Sequence, residues 1–195
     1  MNQVISIGKQ DFASLREGNY FFVDKTHFIS EWWESGDDIT LIARPRRFGK
    51  TLNMSMLNCF FSHQYAERAD LFEGLSVWEK EDYRAIQGKY PVIFLSFADV
   101  KQDNYRDAIY KIKKIIANVY QQFHEIGRSE ALTEVQRRQF MNVTADMDDV
   151  IAQSALQDLS YYCYLYYGRK AIILLDEYDT PMQEAYIHDY WDKFT

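Results

Sequence analysis

Three short apolar runs, separated by stretches of helical periodicity, constrain the fold more than any other feature of this sequence. They are Ile39–Arg44, Pro91–Phe97 and Ala171–Asp176, and each has the length of a strand. Strands that alternate with helices form parallel sheets, because a parallel connection needs a long crossover. The last run is apolar throughout, which predicts a strand covered by helices on both faces. The sequence therefore predicts an α/β fold, a three-layer sandwich around a parallel sheet.

The first 38 residues are interpreted as a short N-terminal extension, followed by one domain over residues 39–195. Within the extension, Tyr20–Lys25 predicts a short strand, and Thr26 is a suitable cap for a helix that continues through Trp33. No internal repeat and no Pro/Gly/Ser-rich linker divides the remainder, so a single domain is expected.

Helical patterns lie between and after the apolar runs. Thr51–Phe61 has apolar residues at helical spacing, and Thr133 with Gln136 forms the pattern of a capping box. Asp148–Tyr167 predicts a helix that ends at Gly168. The side chains expected to face the core are Ile109, Ile112, Ile116, Val119 and Phe123 in one helix, and Ile151, Ala155, Leu159, Tyr162 and Tyr166 in another.

The composition excludes several classes of function. A net charge of −7 argues against a general nucleic-acid binder, because neutralising phosphates needs a basic face. No stretch approaches the ~20 apolar residues of a membrane span. The two cysteines do not make a disulfide framework. We therefore expect a cytoplasmic protein without membrane contact.

Gly49, Lys50 and Thr51 stand directly after the first apolar run and directly before a predicted helix. A phosphate-binding loop needs backbone N–H groups at a helix N-terminus and a cation. Gly49 allows close approach of the backbone, Lys50 supplies the cation, and Thr51 offers a hydroxyl to Mg2+. Arg44 occupies the position of the usual first glycine, so the motif alone favours a phosphate loop and a basic turn about equally.

A second motif, at the end of the third apolar run, favours the phosphate loop. Asp176 ends a predicted strand, where a P-loop hydrolase holds the Mg2+ shell, and Glu177 follows where it could polarise an attacking water. Acidic residues also end many surface strands, but two motifs in the right order, each at a strand end, predict a nucleotide site. Asp179 is either in the outer shell of the metal or an exposed turn residue. Arg46 and Arg47 either contact phosphate or face solvent, and one of the two is expected near the nucleotide.

Five stretches of the sequence, in this order, carry a resemblance: YFFVDKT (20–26), RPRRFGKTL (44–52), LFEGL (71–75), YPVIFLSF (90–97) and LLDEYDTP (174–181). They resemble the bacterial AAA-ATPase-like family, whose members often carry a PD-(D/E)XK-type nuclease domain after the ATPase. The resemblance covers nearly the whole chain. In this family an arginine before the proline is the usual form of the loop, so Arg44 departs from the general motif and not from the family's own.

The resemblance implies ATP and Mg2+ as ligands. It assigns Lys50 to the phosphates, Thr51 and Asp176 to Mg2+, and Glu177 to the activation of water. The loop residues expected around the nucleotide are Arg46, Arg47, Phe48, Gly49, Lys50, Thr51 and Leu52.

The fold implied by the resemblance is the additional-strand P-loop class, with strand order 5-1-4-3-2. The three apolar runs would be its first three strands, so we expect an N-terminal fragment with an incomplete sheet. The sensor residue on the fourth strand, the lid and any arginine finger would lie further along. No nuclease signature appears in these residues. Nucleic acid is therefore expected as a partner only through a downstream domain.

Three functions remain open from the sequence. The first is Mg2+-dependent ATP hydrolysis that drives a conformational step in a larger assembly. The second is a nucleotide-dependent switch or interaction module with little turnover, which binds a protein partner or a second copy of itself. The third is a small-molecule kinase, which the adjacent acids Asp176 and Glu177 disfavour because a kinase must avoid activating water.

Overall fold

The computed structural model describes residues 4–43 and 48–194, and the chain divides into two units, Met1–Val92 and Ile93–Thr195. The first unit contains α1 (Phe12–Glu17), α2 (His27–Ser35), α3 (Lys50–Phe61) and α4 (Glu81–Ile86), with short 3-10 helices at His63–Tyr65, Ala69–Phe72 and Ser76–Glu79. The second contains β1 (Val92–Ser96, which begins at the last residue of the first unit), α5 (Tyr105–Gln122), a 3-10 helix (Ile126–Arg128), α6 (Glu134–Met141), α7 (Asp149–Tyr167), β2 (Ile172–Asp176), α8 (Thr180–Ile187) and α9 (Trp191–Phe194).

The contact between α1 and α3 organises the first unit. Asp11 caps α1 by accepting the N–H of Ser14 at 2.7 Å. The hydroxyl of Ser55, in the middle of α3, accepts the N–H of Phe12 at 2.9 Å and donates to the Asp11 carboxylate at 3.2 Å. The Phe12 ring stacks on Phe72 with 5.1 Å between centroids. These buried contacts fix the start of α1 on α3.

Residues 20–25 are irregular, so the predicted strand at Tyr20–Lys25 is wrong. The Asp24 carboxylate holds this segment instead. It accepts the N–H and the hydroxyl of Thr26 at 2.8 and 2.7 Å, and the N–H of Ser76 at 2.7 Å. The Thr26 hydroxyl accepts the N–H of Val77 at 3.1 Å. Side-chain bonds of this kind replace the backbone ladder that a strand would need.

Thr26 is the N-terminal cap residue of α2, as predicted, but its side chain makes no capping hydrogen bond. Its hydroxyl is already engaged by Asp24 and Val77, and the residue is completely buried. Thr26 therefore joins the start of α2 to the segment that begins at Ser76.

The first predicted strand, Ile39–Arg44, is wrong for residues 39–43, which lie in no strand. Arg44 lies outside the described residues. Ile39 is 90% exposed and Leu41 is 68% exposed. An apolar run becomes a buried strand only if another strand pairs with it, and the described residues contain no strand that does so.

The second unit contains a sheet of two parallel strands, β1 and β2. The predicted strands at Pro91–Phe97 and Ala171–Asp176 are both confirmed, with slightly shorter bounds. Ile93 and Leu95 of β1 face a buried cluster that α5 and α7 complete. The α/β character of the fold is thus confirmed, and the three-layer P-loop sandwich stays a prediction, as does the domain boundary after residue 38.

The prediction that the last strand is covered on both faces is wrong. Ile173 is 43% exposed and Leu175 is 38% exposed, whereas Leu174 and Asp176 are buried. In the described part of the chain β2 pairs with a neighbour on one side only. On its other side, no described strand contributes side chains next to Ile173 and Leu175, so these apolar side chains stay partly exposed.

The helices of the second unit follow the sequence pattern closely. The capping box between Thr133 and Gln136 is present, and α7 ends at Gly168 in a left-handed conformation with φ 67°. The phenol of Tyr120 donates to the Ala155 carbonyl at 2.7 Å, which ties α5 to α7. Tyr166, predicted to face the core, is 40% exposed, whereas its neighbour Tyr167 packs against the buried cluster.

Asp24 should make the stability of the first unit depend on pH. Burial alone would raise the pKa of Asp24, but the hydrogen bonds from Thr26 and Ser76 outweigh it and lower the pKa below the ordinary 3.8. A lowered folded-state pKa contributes stability above the unfolded pKa, and that contribution is lost as pH falls through the folded value. We expect Asp24→Asn to lower the free energy of unfolding at pH 7 by about 1 kcal/mol, an estimate reduced for partial exposure.

Urea unfolding of the wild type and Asp24→Asn between pH 7 and pH 2 measures this effect. The two curves should converge at the acid end, where the wild-type carboxyl is protonated. Asp38→Asn, at an exposed carboxylate of the same unit, is the matched control. A difference between wild type and Asp24→Asn that does not change with pH would show that the carboxylate charge is unimportant.

Candidate functional site

The Gly-Lys-Thr motif lies at the start of α3. Gly49 is the N-terminal cap with a left-handed φ of 78°, and the helix begins at Lys50, one residue earlier than predicted. The Gly49 carbonyl accepts the N–H of Asn53 at 3.0 Å. A Cβ at Gly49 would meet no atom of the described residues within 4 Å, so among them its backbone conformation and not crowding favours glycine.

This helix start has the properties of an anion site. The first-turn N–H groups of Lys50, Thr51 and Leu52 have no partner within the helix, and the first turn contains no acidic residue. A helix N-terminus carries a partial positive charge, to which the Lys50 ammonium adds a full one. Lys50, Thr51 and Leu52 are partly buried and Phe48 is exposed. The predicted binding residues Arg46 and Arg47 lie outside the described residues.

Asp176 ends β2 in the second unit, as predicted. The residue is only 3% exposed, and its carbonyl accepts the N–H of Phe97 at 3.0 Å. Within residues 93–194, no hydrogen bond or ion pair engages its carboxylate. A buried carboxylate is costly unless a cation or donor compensates it. Its environment therefore suits a residue that binds a cation.

Glu177 has a left-handed backbone, with φ 51°. Its carbonyl accepts the N–H of Thr180 at 3.1 Å, which closes the turn into α8. Residues other than glycine rarely adopt a left-handed backbone conformation, and the exceptions are concentrated at functional sites. Asp176 is buried and Glu177 is partly exposed, so the two adjacent carboxylates have different access to solvent.

Asp179 stands at the start of α8, where its carboxylate accepts the side-chain amide of Gln183 at 2.6 Å. Pro181 lies in the first turn of that helix, a position that tolerates proline because its missing N–H has no intrahelical partner. The structure therefore gives Asp179 a local role at the helix start.

Ser96 is a polar neighbour that the sequence analysis did not identify. The bond from the Phe97 N–H to the Asp176 carbonyl sets the register of the parallel strands, and in that register Ser96 lies directly beside Asp176. The only signal in the sequence is a serine that interrupts the apolar run at its end. That signal becomes meaningful once β1 and β2 are known to be neighbours.

Other chemistries find little support. Burial raises the pKa of both thiols, Cys59 and Cys163, to about 12, so neither is a thiolate nucleophile near neutral pH. In the described residues, no group of three or more His, Cys, Asp or Glu side chains could hold a metal ion.

No helix in the described ranges has the length and apolar character needed to cross a membrane.

Comparison with known proteins supports one family. The curated proteins include a relative from Azotobacter chroococcum mcd 1, described as "Uncharacterized protein in vnfD 5'region", which is 30% identical over 179 residues. The match covers 91% of this chain but 29% of the relative, so the chain spans less than a third of that protein's length. No solved structure matches the chain significantly.

The family comparison covers almost every residue of the sequence. Residues 6–195 match the model of the AAA-ATPase-like family, which is described as "Predicted AAA-ATPase". That range includes both the helix start at Lys50 and the strand end at Asp176. The chain therefore belongs to the AAA-ATPase-like family.

Proposed function

We propose that this chain is an ATP-binding module that hydrolyses ATP with Mg2+ as part of a larger assembly. One observation carries the proposal: the family's Gly-Lys-Thr begins a three-turn helix whose first N–H groups have no intrahelical partner. Backbone donors, a positive helix end and the Lys50 ammonium together suit the phosphates of a nucleotide. The remaining predicted loop residues, Arg46, Arg47, Phe48, Gly49 and Leu52, would complete the binding segment.

The residues proposed for Mg2+ are Thr51 and Asp176. Thr51 offers a hydroxyl in the first turn of α3, and Asp176 offers a buried carboxylate with no partner among the described residues of its unit. Mg2+ bound with ATP neutralises charge on the phosphates and usually needs only one or two protein carboxylates. A group of three protein ligands is thus not required. Thr51 belongs to the first unit and Asp176 to the second, so their joint role rests on the motif order and the family.

Glu177 is proposed to accept a proton from the attacking water. Its partly exposed carboxylate follows the metal-binding acid directly, and its left-handed backbone is the kind of unfavourable conformation that function can maintain. The Glu177 carboxylate also argues against a kinase. A group that activates water would make hydrolysis compete with phosphate transfer to a kinase substrate.

A nucleotide-dependent switch with little turnover is the second proposal. It is supported by α8, which begins three residues after Glu177 and leaves Tyr186 75% exposed and Ile187 64% exposed. Apolar side chains at such exposure suit contact with a protein partner or a second copy of the chain. The cytoplasmic location, a downstream nuclease domain and any contact with nucleic acid through it stay predictions from the sequence.

Replacing Lys50 with alanine tests the phosphate site. We expect Lys50→Ala to weaken ATP binding at least ~10-fold, because the variant loses the cation placed at the helix N-terminus. Titration of ATP with and without Mg2+ measures the dissociation constants. Lys89→Ala, at an exposed lysine of the same unit, should bind as the wild type does. Equal affinity of Lys50→Ala and the wild type would remove the phosphate-loop assignment.

Replacing Glu177 with glutamine separates hydrolysis from binding. We expect Glu177→Gln to keep ATP affinity and to lower the rate of phosphate release by ~10^2- to 10^4-fold, the usual contribution of a general base. Glu130→Gln, at an exposed acid of the same unit, should leave the rate unchanged. If Glu177→Gln hydrolyses ATP normally, the base assignment is wrong. A wild type that binds ATP without releasing phosphate would favour the switch.

Replacing Glu177 with glycine tests the backbone conformation. We expect Glu177→Gly to be about 1 kcal/mol more stable than Glu177→Ala, since both variants lack the carboxylate but only glycine adopts a φ of 51° without a Cβ penalty. Urea unfolding measures the difference. Equal stability of the two variants would mean that the left-handed conformation costs the protein nothing.

A further inference from the structure

The carboxyl ends of β1 and β2 place a hydroxyl beside a buried carboxylate. The Phe97 N–H donates to the Asp176 carbonyl at 3.0 Å, and this bond of the parallel ladder pairs Ser96 with Asp176. Paired residues of parallel strands project from the same face of the sheet, and the strands lie ~4.8 Å apart. Ser96 and Asp176 are therefore lateral neighbours at one edge of the sheet.

The surrounding residues fix the face on which Ser96 lies. Leu95 belongs to the buried cluster that α5 and α7 complete, so the next residue, Ser96, projects from the opposite face of β1. On β2 the same alternation separates Leu175 from Asp176. The neighbours on the face opposite the cluster are thus a serine and an aspartate, each the last residue of its strand.

Neither side chain has a strong partner of its own in the described part of the second unit. The Ser96 hydroxyl accepts the N–H of Ala98 at 3.5 Å, which is the outer limit of a hydrogen bond, and it donates to no described residue. The Asp176 carboxylate, 3% exposed, is engaged by no hydrogen bond or ion pair from those residues. An uncommitted donor thus lies next to an uncommitted acceptor.

We propose that Ser96 is a positioning residue for Asp176: its hydroxyl donates to one carboxylate oxygen and leaves the other oxygen available to bind Mg2+. This inference rests on the proposed function. A carboxylate has two oxygens, so one can accept a hydrogen bond while the other binds a cation. Mg2+ tolerates little departure from octahedral geometry, and a second partner that orients a ligand strengthens metal binding.

The competing role for Ser96 is purely structural, namely the end of β1. In that role its hydroxyl would only stabilise the turn through Ala98, and its loss would lower stability without affecting metal binding. The two roles differ in what they predict for the Mg2+ dependence of ATP binding, which is measurable without turnover.

The experiment compares the wild type with Ser96→Ala, Ser96→Thr and Asp176→Asn. ATP affinity is measured by titration without Mg2+ and at a series of Mg2+ concentrations, and urea unfolding midpoints are recorded for each protein. Ser154→Ala is the matched control, because it removes a serine hydroxyl that donates to Asp158 at 2.8 Å on α7 of the same unit.

Mg2+ is expected to increase ATP affinity, and we expect Ser96→Ala to need an about 10-fold higher Mg2+ concentration to reach half of that increase. Losses of this size occur when the residue that orients a metal ligand is removed. The ATP affinity of Ser96→Ala without Mg2+ should equal that of the wild type. Ser96→Thr keeps the hydroxyl and should restore the Mg2+ response, and Ser154→Ala should leave it unchanged. Asp176→Asn should abolish it.

Three results would overturn the inference in different ways. If Asp176→Asn loses the Mg2+ response while Ser96→Ala keeps it, Ser96 has no positioning role and the proposed function stands. If Ser96→Ala lowers the unfolding midpoint and weakens ATP binding equally with and without Mg2+, its role is structural. A wild type that does not bind ATP overturns the proposed function and the role of Ser96 together.

Discussion

The hydrogen bond from the Phe97 N–H to the Asp176 carbonyl is the constraint on which the chemistry of the second unit depends. It is the bond that aligns the carboxyl ends of β1 and β2, and a one-residue slip would exchange the faces of every side chain on β2. This register sets the face of the sheet on which Asp176 lies and its proximity to Ser96. Ligands of parallel α/β sheets bind at such carboxyl ends, because the chain turns into loops there and leaves side chains and backbone groups available.

The first unit is stabilised in a different way, by hydrogen bonds between side chains and backbone groups that are distant in the sequence. Asp24 and Thr26 engage residues 76 and 77, and Arg16 donates to the carbonyls of Leu71 and Glu73 at 2.7 and 2.8 Å. The first two bonds join the stretch 20–26 to the residues just after the stretch 71–75, and the Arg16 bonds join the end of α1 to two carbonyls within 71–75. Packing and hydrogen bonding in the first unit thus give both stretches a structural role.

Local signals made part of the fold and site predictable from sequence. The capping box at Thr133 and the helix after Gly49 are decided by residues within one or two turns, so the pattern identified both. The strands at residues 20–25 and 39–43 were predicted wrongly because a strand needs a distant partner, and local periodicity carries no information about one. Ser96 was missed for the same reason: its proximity to Asp176 is a property of strand register, which no short motif contains.

The open side of β2 has a consequence for handling the protein. Ile173 and Leu175 leave apolar surface next to a strand edge that pairs with nothing in the described residues. Unpaired edges flanked by apolar side chains recruit strands from other molecules, and natural sheets usually protect them with lysine, proline or a bulge. This edge lacks all three, since Ile172–Asp176 contains neither lysine nor proline and is a regular strand. An unpaired apolar edge of this kind favours strand pairing between molecules, and high protein concentration promotes such pairing.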